Sequence, residues 1–236
     1  MDNLNQENLN KNKTDQKKAF NVMAFPVGPV CNLRCDYCYY LDKKELYPAT
    51  KDFNMSEELL EEYIKQYIES QPGPQISFGW QGGEPTLRDL DFFKKAVTYI
   101  EKYLPENWDY EMTFQTNSVL IDDEWAQFMA ENNFLVGVSI DGPAELHDKY
   151  RKDKQGQPTH ARVMQGLKKL QEHGAQFNIL CVVNEANAPY PQKVYNFFKD
   201  LGAEHIQFIP IVEREEGEVT ARSVSPEGYG EFLMGV

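Results

Sequence analysis

Three cysteines lie within eight residues of this sequence and are its most chemically distinctive feature. Cys31, Cys35 and Cys38 are spaced as Cys-x3-Cys-x2-Cys. Thiolates bind iron–sulfur clusters and zinc, and a structural zinc site normally has four protein ligands. No fourth cysteine is close, and the nearest histidine in sequence is His147. The spacing therefore favours a [4Fe–4S] cluster with one iron left for a small-molecule ligand, and zinc is the weaker alternative.

The remaining cysteine and the composition narrow the class of protein. Cys181 stands alone in an apolar segment, so we expect a buried core thiol. Clustered cysteines, unlike the dispersed cysteines of a disulfide-bonded secreted domain, indicate metal or redox chemistry in the cytoplasm. The formal net charge is −13, and no apolar run approaches the ~20 residues that span a bilayer. We therefore expect no binding to nucleic acid or to a membrane.

Apolar periodicity alternates between strand and helix along the chain, as is typical of parallel strands joined by right-handed crossovers. Six such units are compatible with a closed barrel, a doubly wound sheet or a partial barrel. Residues 1–18 are predicted to be a disordered tail, and 19–236 one domain. The predicted strands are 20–26, 75–80, 110–115, 134–140, 176–183 and 205–211, and the predicted helices are 56–70, 89–103, 122–132, 159–173, 191–200 and one that begins at Ser225.

Polar and glycine residues follow the ends of these predicted strands. They include Gln81–Glu84, Gln115–Asn117 and Ser139–Asp141, and the cysteine segment follows the first strand. Because the carboxyl ends of parallel strands lie at one edge of the sheet, we expect these residues to form one site. The four histidines, His147, His160, His173 and His205, show no ligand spacing, so we expect them at the surface or at helix ends.

Several of these segments resemble a known family. The cysteine spacing, with Tyr37 before the last cysteine, and Gly82-Gly83-Glu84-Pro85 after the second strand resemble the radical S-adenosylmethionine superfamily. The similarity extends over about residues 20–236 to the anaerobic sulfatase-maturating enzymes. The segments that carry it are Gln81-Gly-Gly-Glu-Pro-Thr, Phe114-Gln-Thr-Asn, Phe134-Leu-Val-Gly-Val-Ser-Ile-Asp-Gly-Pro, Tyr150-Arg-Lys-Asp and Phe177-Asn-Ile-Leu-Cys-Val-Val.

The resemblance implies a fold and a reaction. The fold would be a partial (β/α)6 barrel of parallel strands with outer helices. The three cysteines would hold one [4Fe–4S] cluster whose open iron binds S-adenosylmethionine. An electron donor such as flavodoxin or ferredoxin would drive reductive cleavage of that cofactor to a 5′-deoxyadenosyl radical. The radical would act on a sulfatase polypeptide, in which a Cys or Ser is oxidised to Cα-formylglycine.

The resemblance also assigns roles to single residues. Tyr40 and Asn117 would contact the peptide substrate, with plain packing as the alternative for Tyr40. Ser118 stands where the family usually has glycine, which leaves open whether the backbone adopts a positive φ there. The residues expected to bind S-adenosylmethionine are Tyr37 and Val212 at the adenine, Gln81 at the methionine portion, Gly82 and Gly83 at its amino-acid end, and Ser139 and Arg151 at the ribose and carboxylate.

The family continues into a cysteine-rich C-terminal domain of the SPASM type, with two auxiliary clusters and the proposed base. We expect this sequence to end before that domain, and therefore to generate the radical without completing maturation; no catalytic residue is assigned within it. Two alternatives remain open at this stage. One is another SPASM-type peptide maturase, and the other is a catalytically incomplete remnant.

Overall fold

Six parallel strands in sequential order form the central sheet of the computed structural model, which describes residues 17–50 and 52–236. Each strand pairs with its neighbours in sequence, and β1 and β6 are the two edges of the sheet. This open arrangement confirms the partial barrel and excludes the closed and doubly wound alternatives. The strands are β1 (Val22–Ala24), β2 (Gln75–Trp80), β3 (Asp109–Thr116), β4 (Phe134–Ser139), β5 (Gln176–Val183) and β6 (Ile206–Pro210).

Four of the helices in the described residues begin after a residue whose side chain accepts from a free N–H group of the first turn. Ser56 accepts from Leu59 N at 3.2 Å, and Asp122 accepts from Trp125 N at 3.0 Å. The predicted helix bounds are confirmed to within two residues. The helices are α1 (Glu57–Ser70), α2 (Leu90–Tyr103), α3 (Asp123–Glu131), α4 (Ala144–Tyr150), α5 (His160–Glu172), α6 (Pro191–Asp200) and α7 (Pro226–Gly235).

Alternate residues of the strands face the outer helices and form the core. The register places Trp80 beside Phe114 and Phe114 beside Val136, and all three side chains are buried. Burial of each such side chain contributes about 1.5–3 kcal/mol relative to exposure. Cys181 is buried in the same layer, which confirms the predicted core thiol.

The opposite face of the sheet carries small and polar residues. Gly79, Thr113, Gln115, Gly137 and Asn178 line a hollow of about 130 Å³ there. A Cβ at Gly137 would lie 2.2 Å from Gln115 Oε1, so a larger residue there would displace the end of the Gln115 side chain. The apolar side chains of Met23 and Leu135 also line the hollow, so the inner face is mixed in character and keeps room for a ligand.

Several short elements of the structure were not predicted from the sequence. Helix α4, the antiparallel hairpin β7 (Arg214–Glu215) and β8 (Glu218–Val219), and the 3-10 helices Lys43–Leu46 and Pro85–Leu87 were not predicted. The first strand covers three residues rather than the predicted 20–26, because a turn begins at Phe25 and closes with Gly28 N donating to Phe25 O at 3.1 Å.

The predicted N-terminal tail lies almost wholly outside the described residues. Of its positions, the structure describes Lys17 and Lys18, which are exposed and outside regular structure. None of the helices in the described ranges is long and apolar enough to cross a bilayer.

Candidate active site

One cleft of about 680 Å³, at the carboxyl ends of the strands, contains every residue for which the sequence predicted a role. Tertiary structure thus brings together segments more than 170 residues apart in the chain. The individual roles stay predictions, whereas the convergence is a structural finding. The twelve residues are Cys31, Cys35, Tyr37, Cys38, Tyr40, Gln81, Gly82, Gly83, Asn117, Ser139, Arg151 and Val212.

The cysteine loop is anchored to the segment that follows α4. Arg34 N donates to Lys152 O at 2.8 Å, and Asp36 N donates to Tyr150 O at 2.9 Å. Within the loop, Cys38 N donates to Cys35 O at 3.0 Å. These backbone hydrogen bonds hold the loop independently of its side chains, so the thiols can face the cleft.

All three thiols are largely buried and therefore protonated without a metal, so a cluster would have to bind them as thiolates. Burial raises the pKa of Cys31 to about 12 and that of Cys35 to about 11, and it also raises the pKa of Cys38. Over 17–50 and 52–236, no three Cys, His, Asp or Glu side chains converge on a point suited to a single ion. In a cubane cluster each thiolate binds a different iron, and all three thiols line the same cleft.

The glycine turn after β2 allows the backbone to lie directly against the cysteine loop. Gly83 has φ +35°, and a Cβ there would lie 2.0 Å from Val30 O. A Cβ at Gly82, which has φ +85°, would lie 2.4 Å from Cδ1 of Phe25. Glu84 N donates to Val30 O at 2.8 Å and completes the contact. Glycine is required here by both conformation and space.

Glu84 is a buried carboxylate that joins the glycine turn to the end of β3. Its Oε1 accepts from Thr86 Oγ1 and Thr116 Oγ1, both at 2.7 Å, and its Oε2 accepts from Asn117 N at 2.7 Å. The side chain is 1% exposed, and burial raises its pKa although these hydrogen bonds oppose the shift. Sequence reasoning quoted Glu84 only as part of the glycine motif and missed this positioning role.

The Asn117 side chain contacts the cysteine loop. Its Nδ2 donates to Asn32 Oδ1 at 2.7 Å and lies 3.7 Å from Cys31 Sγ. The structure therefore shows a contact between Asn117 and Cys31, whereas the role of Asn117 in peptide binding stays a prediction. Ser118 adopts φ +57° without glycine, and its Oγ donates to Val163 O at 2.8 Å.

Arg151 is held at the base of the cleft by Asp141. Its Nη2 donates to Asp141 Oδ1 at 3.1 Å, and its Nε lies 3.0 Å from Oδ2, although outside hydrogen-bond angles. Tyr37 Oη and Val182 N also donate to the Asp141 carboxylate. Burial alone would lower the pKa of Arg151, but Asp141 raises it well above its usual value. Asp141 is the second residue whose role the sequence did not reveal.

His147 is buried behind this ion pair. The sequence predicted that it would lie at the surface or at a helix end, and the surface prediction is wrong. Asp141 N donates to Nδ1 at 3.3 Å, and Nε2 lies 3.1 Å from Thr159 Oγ1, which itself donates to Arg151 O at 2.8 Å. A neutral ring with its proton on Nε2 satisfies all three contacts. Burial lowers the pKa of His147 well below its usual value.

The remaining predicted residues lie around the cleft wall. Ser139 Oγ accepts from Gln115 Nε2 at 2.9 Å. The Tyr40 ring lies 6.1 Å from the Phe25 ring, edge to face. Val212 is 67% exposed and therefore belongs to the rim of the cleft rather than to the core.

A three-cysteine loop after β1 and a glycine turn after β2, on a partial parallel barrel, define a radical S-adenosylmethionine type of site. The Radical SAM superfamily matches residues 25–198, and the chain belongs to that family.

Particular relatives extend the comparison. The chain is 48% identical over 232 residues to the serine-type anaerobic sulfatase-maturating enzyme of Bacteroides thetaiotaomicron, covering 92% of this chain and 56% of that protein. It is 36% identical to the cysteine-type enzyme of Clostridium novyi, covering 92% and 58%. The solved structure of native anSMEcpe with bound AdoMet and Cp18Cys peptide has a TM-score of 0.82 at 36% identity and covers 90% of this chain and 57% of that chain.

The chain spans little more than half the length of the curated relatives it matches. Streptococcus suis SuiB matches with a TM-score of 0.68 at 15% identity, covering 97% of this chain and 49% of that chain, and this likeness concerns the fold alone.

Proposed function

We propose that this chain holds one [4Fe–4S] cluster on Cys31, Cys35 and Cys38, binds S-adenosylmethionine beside it, and acts in sulfatase maturation. When bound, the cluster would supply the electron that cleaves the cofactor to a 5′-deoxyadenosyl radical. The observation that carries the proposal is that the three thiols, the glycine turn and Arg151 line one cleft. Residues 19–236 would form one core domain, and 1–18 a disordered tail.

The side chains of the cleft have suitable chemistry for the cofactor. Arg151 presents a charged guanidinium, and Asp141 accepts a hydrogen bond from its Nη2 and lies 3.0 Å from its Nε. The Nη1 donors remain to bind a carboxylate, which guanidinium groups recognise well. Ser139 would hold the ribose, Gln81 the methionine portion, and the backbone of Gly82 and Gly83 its amino-acid end. Tyr37 and Val212 would flank the adenine.

The substrate would be a sulfatase polypeptide whose target Cys or Ser becomes Cα-formylglycine. Tyr40 and Asn117 would contact it, and the small residues of the inner sheet face leave space for an extended chain. Relatives of both the serine and the cysteine type support this substrate class. The electron donor would be flavodoxin or ferredoxin. A cytoplasmic location would keep the thiols reduced, and all four cysteines are unpaired.

Hydrogen transfer from the substrate to the cofactor provides the test. The chain would be reconstituted anaerobically and incubated with S-adenosylmethionine, dithionite and a peptide bearing the Cys-x-Pro-x-Arg motif. The target residue would carry deuterium on Cβ, and a matched peptide would carry Ser in place of Cys. We expect 5′-deoxyadenosine that contains deuterium, measured by mass spectrometry. This readout reports hydrogen abstraction whether or not the later oxidation is completed.

Controls separate the alternatives. Cys31→Ala should abolish cluster absorption and 5′-deoxyadenosine formation, whereas Cys181→Ala should retain both. Cleavage without deuterium transfer would favour another peptide maturase. A chain that gains iron but never cleaves the cofactor would be a catalytically incomplete remnant, and the proposal would fail.

A further inference from the structure

A second groove lies beside the cysteine loop, and its charge is opposite to that of the chain as a whole. It encloses about 310 Å³ and is lined by Cys31 and Cys38 together with the cations Arg34, Lys44 and Lys154. No carboxylate lines it. The full sequence carries 37 acidic and 24 basic side chains, so a groove with three cations and no acid is a local reversal of charge. We call Arg34, Lys44 and Lys154 the basic patch.

The charges of the basic patch are available to a partner. All three side chains belong to exposed residues, and within 17–50 and 52–236 none of them lies within 4 Å of a carboxylate. Two of the nearby acids are engaged elsewhere, whereas Asp42 and Glu45 flank Lys44 without forming an ion pair in the described residues. Asp36 pairs with Lys152 at 2.9 Å, and Asp153 pairs with Arg162 at 2.8 Å. The three cations of the basic patch therefore have no ion-pair partner among the described residues, although Asp36 and Asp153 share a neighbouring pocket with Arg34 and Lys154.

The basic patch lies directly beside the cysteine loop. Arg34 precedes Cys35 directly, and the groove shares Cys31 and Cys38 with the cleft. A protein bound on the patch would lie against the cysteine loop from a side other than the floor of the cleft. Because electron transfer between proteins slows steeply with distance, contact with this loop is the shortest route to a cluster held there. Leu41 and Pro29 add an apolar element to the contact surface.

We propose that the basic patch is the docking surface for an acidic one-electron carrier protein; this inference rests on the proposed function. The donor is oxidised by one electron, and the cluster is reduced by one electron. A chain of net charge −13 would repel an acidic donor at long range, so the patch also orients the encounter. The same surface would attract an acidic peptide, which is the alternative occupant for the test to exclude.

The test compares two triple variants that remove the same number of charges. The patch variant is Arg34→Gln/Lys44→Gln/Lys154→Gln. The control variant is Lys94→Gln/Lys168→Gln/Lys199→Gln, which changes three exposed lysines on the outer helices. The probe is a flavodoxin, an acidic carrier whose flavin absorbance is easily followed. Its affinity for the cluster-loaded chain is measured by titration calorimetry at low ionic strength and at about 0.15 M.

We expect the patch variant to bind flavodoxin roughly tenfold more weakly at low ionic strength and to lose most of its salt dependence. The control variant should change by less than about twofold. Formation of 5′-deoxyadenosine driven by reduced flavodoxin should fall with the affinity, while formation driven by dithionite stays unchanged. Equal flavodoxin affinity in both variants would overturn the proposal. So would a patch variant that binds the sulfatase peptide more weakly but flavodoxin as tightly as the unmodified chain does.

The binding measurement also separates this proposal from the proposed function. If dithionite produced no 5′-deoxyadenosine in the unmodified chain, the proposed function would fail. Flavodoxin affinity would still show whether the patch is the docking surface, because binding requires no turnover.

Discussion

Asp141 and Arg151 form a buried ion pair that joins the end of β4 to the segment after α4. Arg151 Nη2 donates to Asp141 Oδ1 at 3.1 Å, and the Asp141 carboxylate also accepts from Tyr37 Oη on the cysteine loop. A single carboxylate thus positions the expected S-adenosylmethionine ligand and the loop that carries the thiols. The pair is a structural link between two parts of the site that the sequence presented as separate motifs.

Replacement of Asp141 should therefore destabilise the chain strongly. In Asp141→Asn the guanidinium of Arg151 stays buried without its counter-charge, and loss of one partner of a buried pair costs about 3–5 kcal/mol. We expect a decrease of that size in the free energy of unfolding, measured by urea denaturation without cofactor. Asp123→Asn, which breaks exposed contacts with Lys169 and His173, is the control and should leave the midpoint nearly unchanged. Similar losses in both variants would argue against the pair as a structural link.

The buried His147 should make stability dependent on pH. Its folded pKa lies well below the usual value of about 6.5, so on acidification the unfolded chain binds a proton that the folded chain does not. Stability contributed by the neutral ring is fully present above about pH 7 and is lost as pH falls below the unfolded pKa. Between pH 7 and 5 we expect the free energy of unfolding of His147→Gln, measured by urea denaturation, to fall less steeply than that of the unmodified chain, by up to ~1.4 kcal/mol per pH unit. The exposed His205→Gln is the control, and an unchanged slope in His147→Gln would contradict the assignment.

Gly83 should tolerate no side chain. Two causes contribute, its positive φ and the collision of a Cβ with Val30 O, and a control variant can separate them. Gly83→Ala places a Cβ 2.0 Å from Val30 O, next to the cysteine loop. Gly174→Ala shares the left-handed conformation, with φ +71°, but its Cβ would meet nothing within 4 Å. Both variants pay about 1–2 kcal/mol for conformation, so the difference between them reports the collision. After anaerobic reconstitution we expect Gly83→Ala to contain much less iron than the unmodified chain, and Gly174→Ala to contain about the same amount. Equal iron contents in the two variants would show that the cysteine loop can adapt to the added Cβ.

Local pattern was sufficient for the regular elements of the fold. Gln75–Trp80 and Gln176–Val183 were predicted with the bounds that the structure shows, because each strand presents a sustained apolar row to the helices. Helix α4 was missed because it has only seven residues and four of them are charged or histidine. Its His147 looked like a surface residue beside Asp148 and Lys149, and tertiary contacts with Asp141, Thr159 and His160 bury it.

The sequence predicted which residues line the site, but not which hydrogen bonds and ion pairs they form with one another. All twelve residues with a predicted role line the cleft, and most of them lie in the cysteine loop or just after a strand, whereas Arg151 follows helix α4. The carboxylates of Glu84 and Asp141 were not distinguished, since their roles depend on donors from other strands. Thr116 and Val182 are examples of such donors. A sequence pattern specifies which residues reach the edge of the sheet, whereas tertiary packing decides what they bind.

Asn117 should tune the reduction potential of the cluster. Its Nδ2 lies 3.7 Å from Cys31 Sγ and is positioned by Glu84, which accepts from the Asn117 backbone N–H at 2.7 Å. Hydrogen bonds to ligand sulfurs stabilise the more negative, reduced form and so raise the potential of an iron–sulfur cluster. We expect Asn117→Ala to shift the potential to more negative values while the iron content stays unchanged, in a redox titration followed by electron paramagnetic resonance. The control is Gln115→Ala, which removes another amide of the cleft that bonds Ser139 rather than a cysteine. A potential equal to that of the unmodified chain, together with weaker binding of the sulfatase peptide, would assign Asn117 to the substrate instead of the cluster.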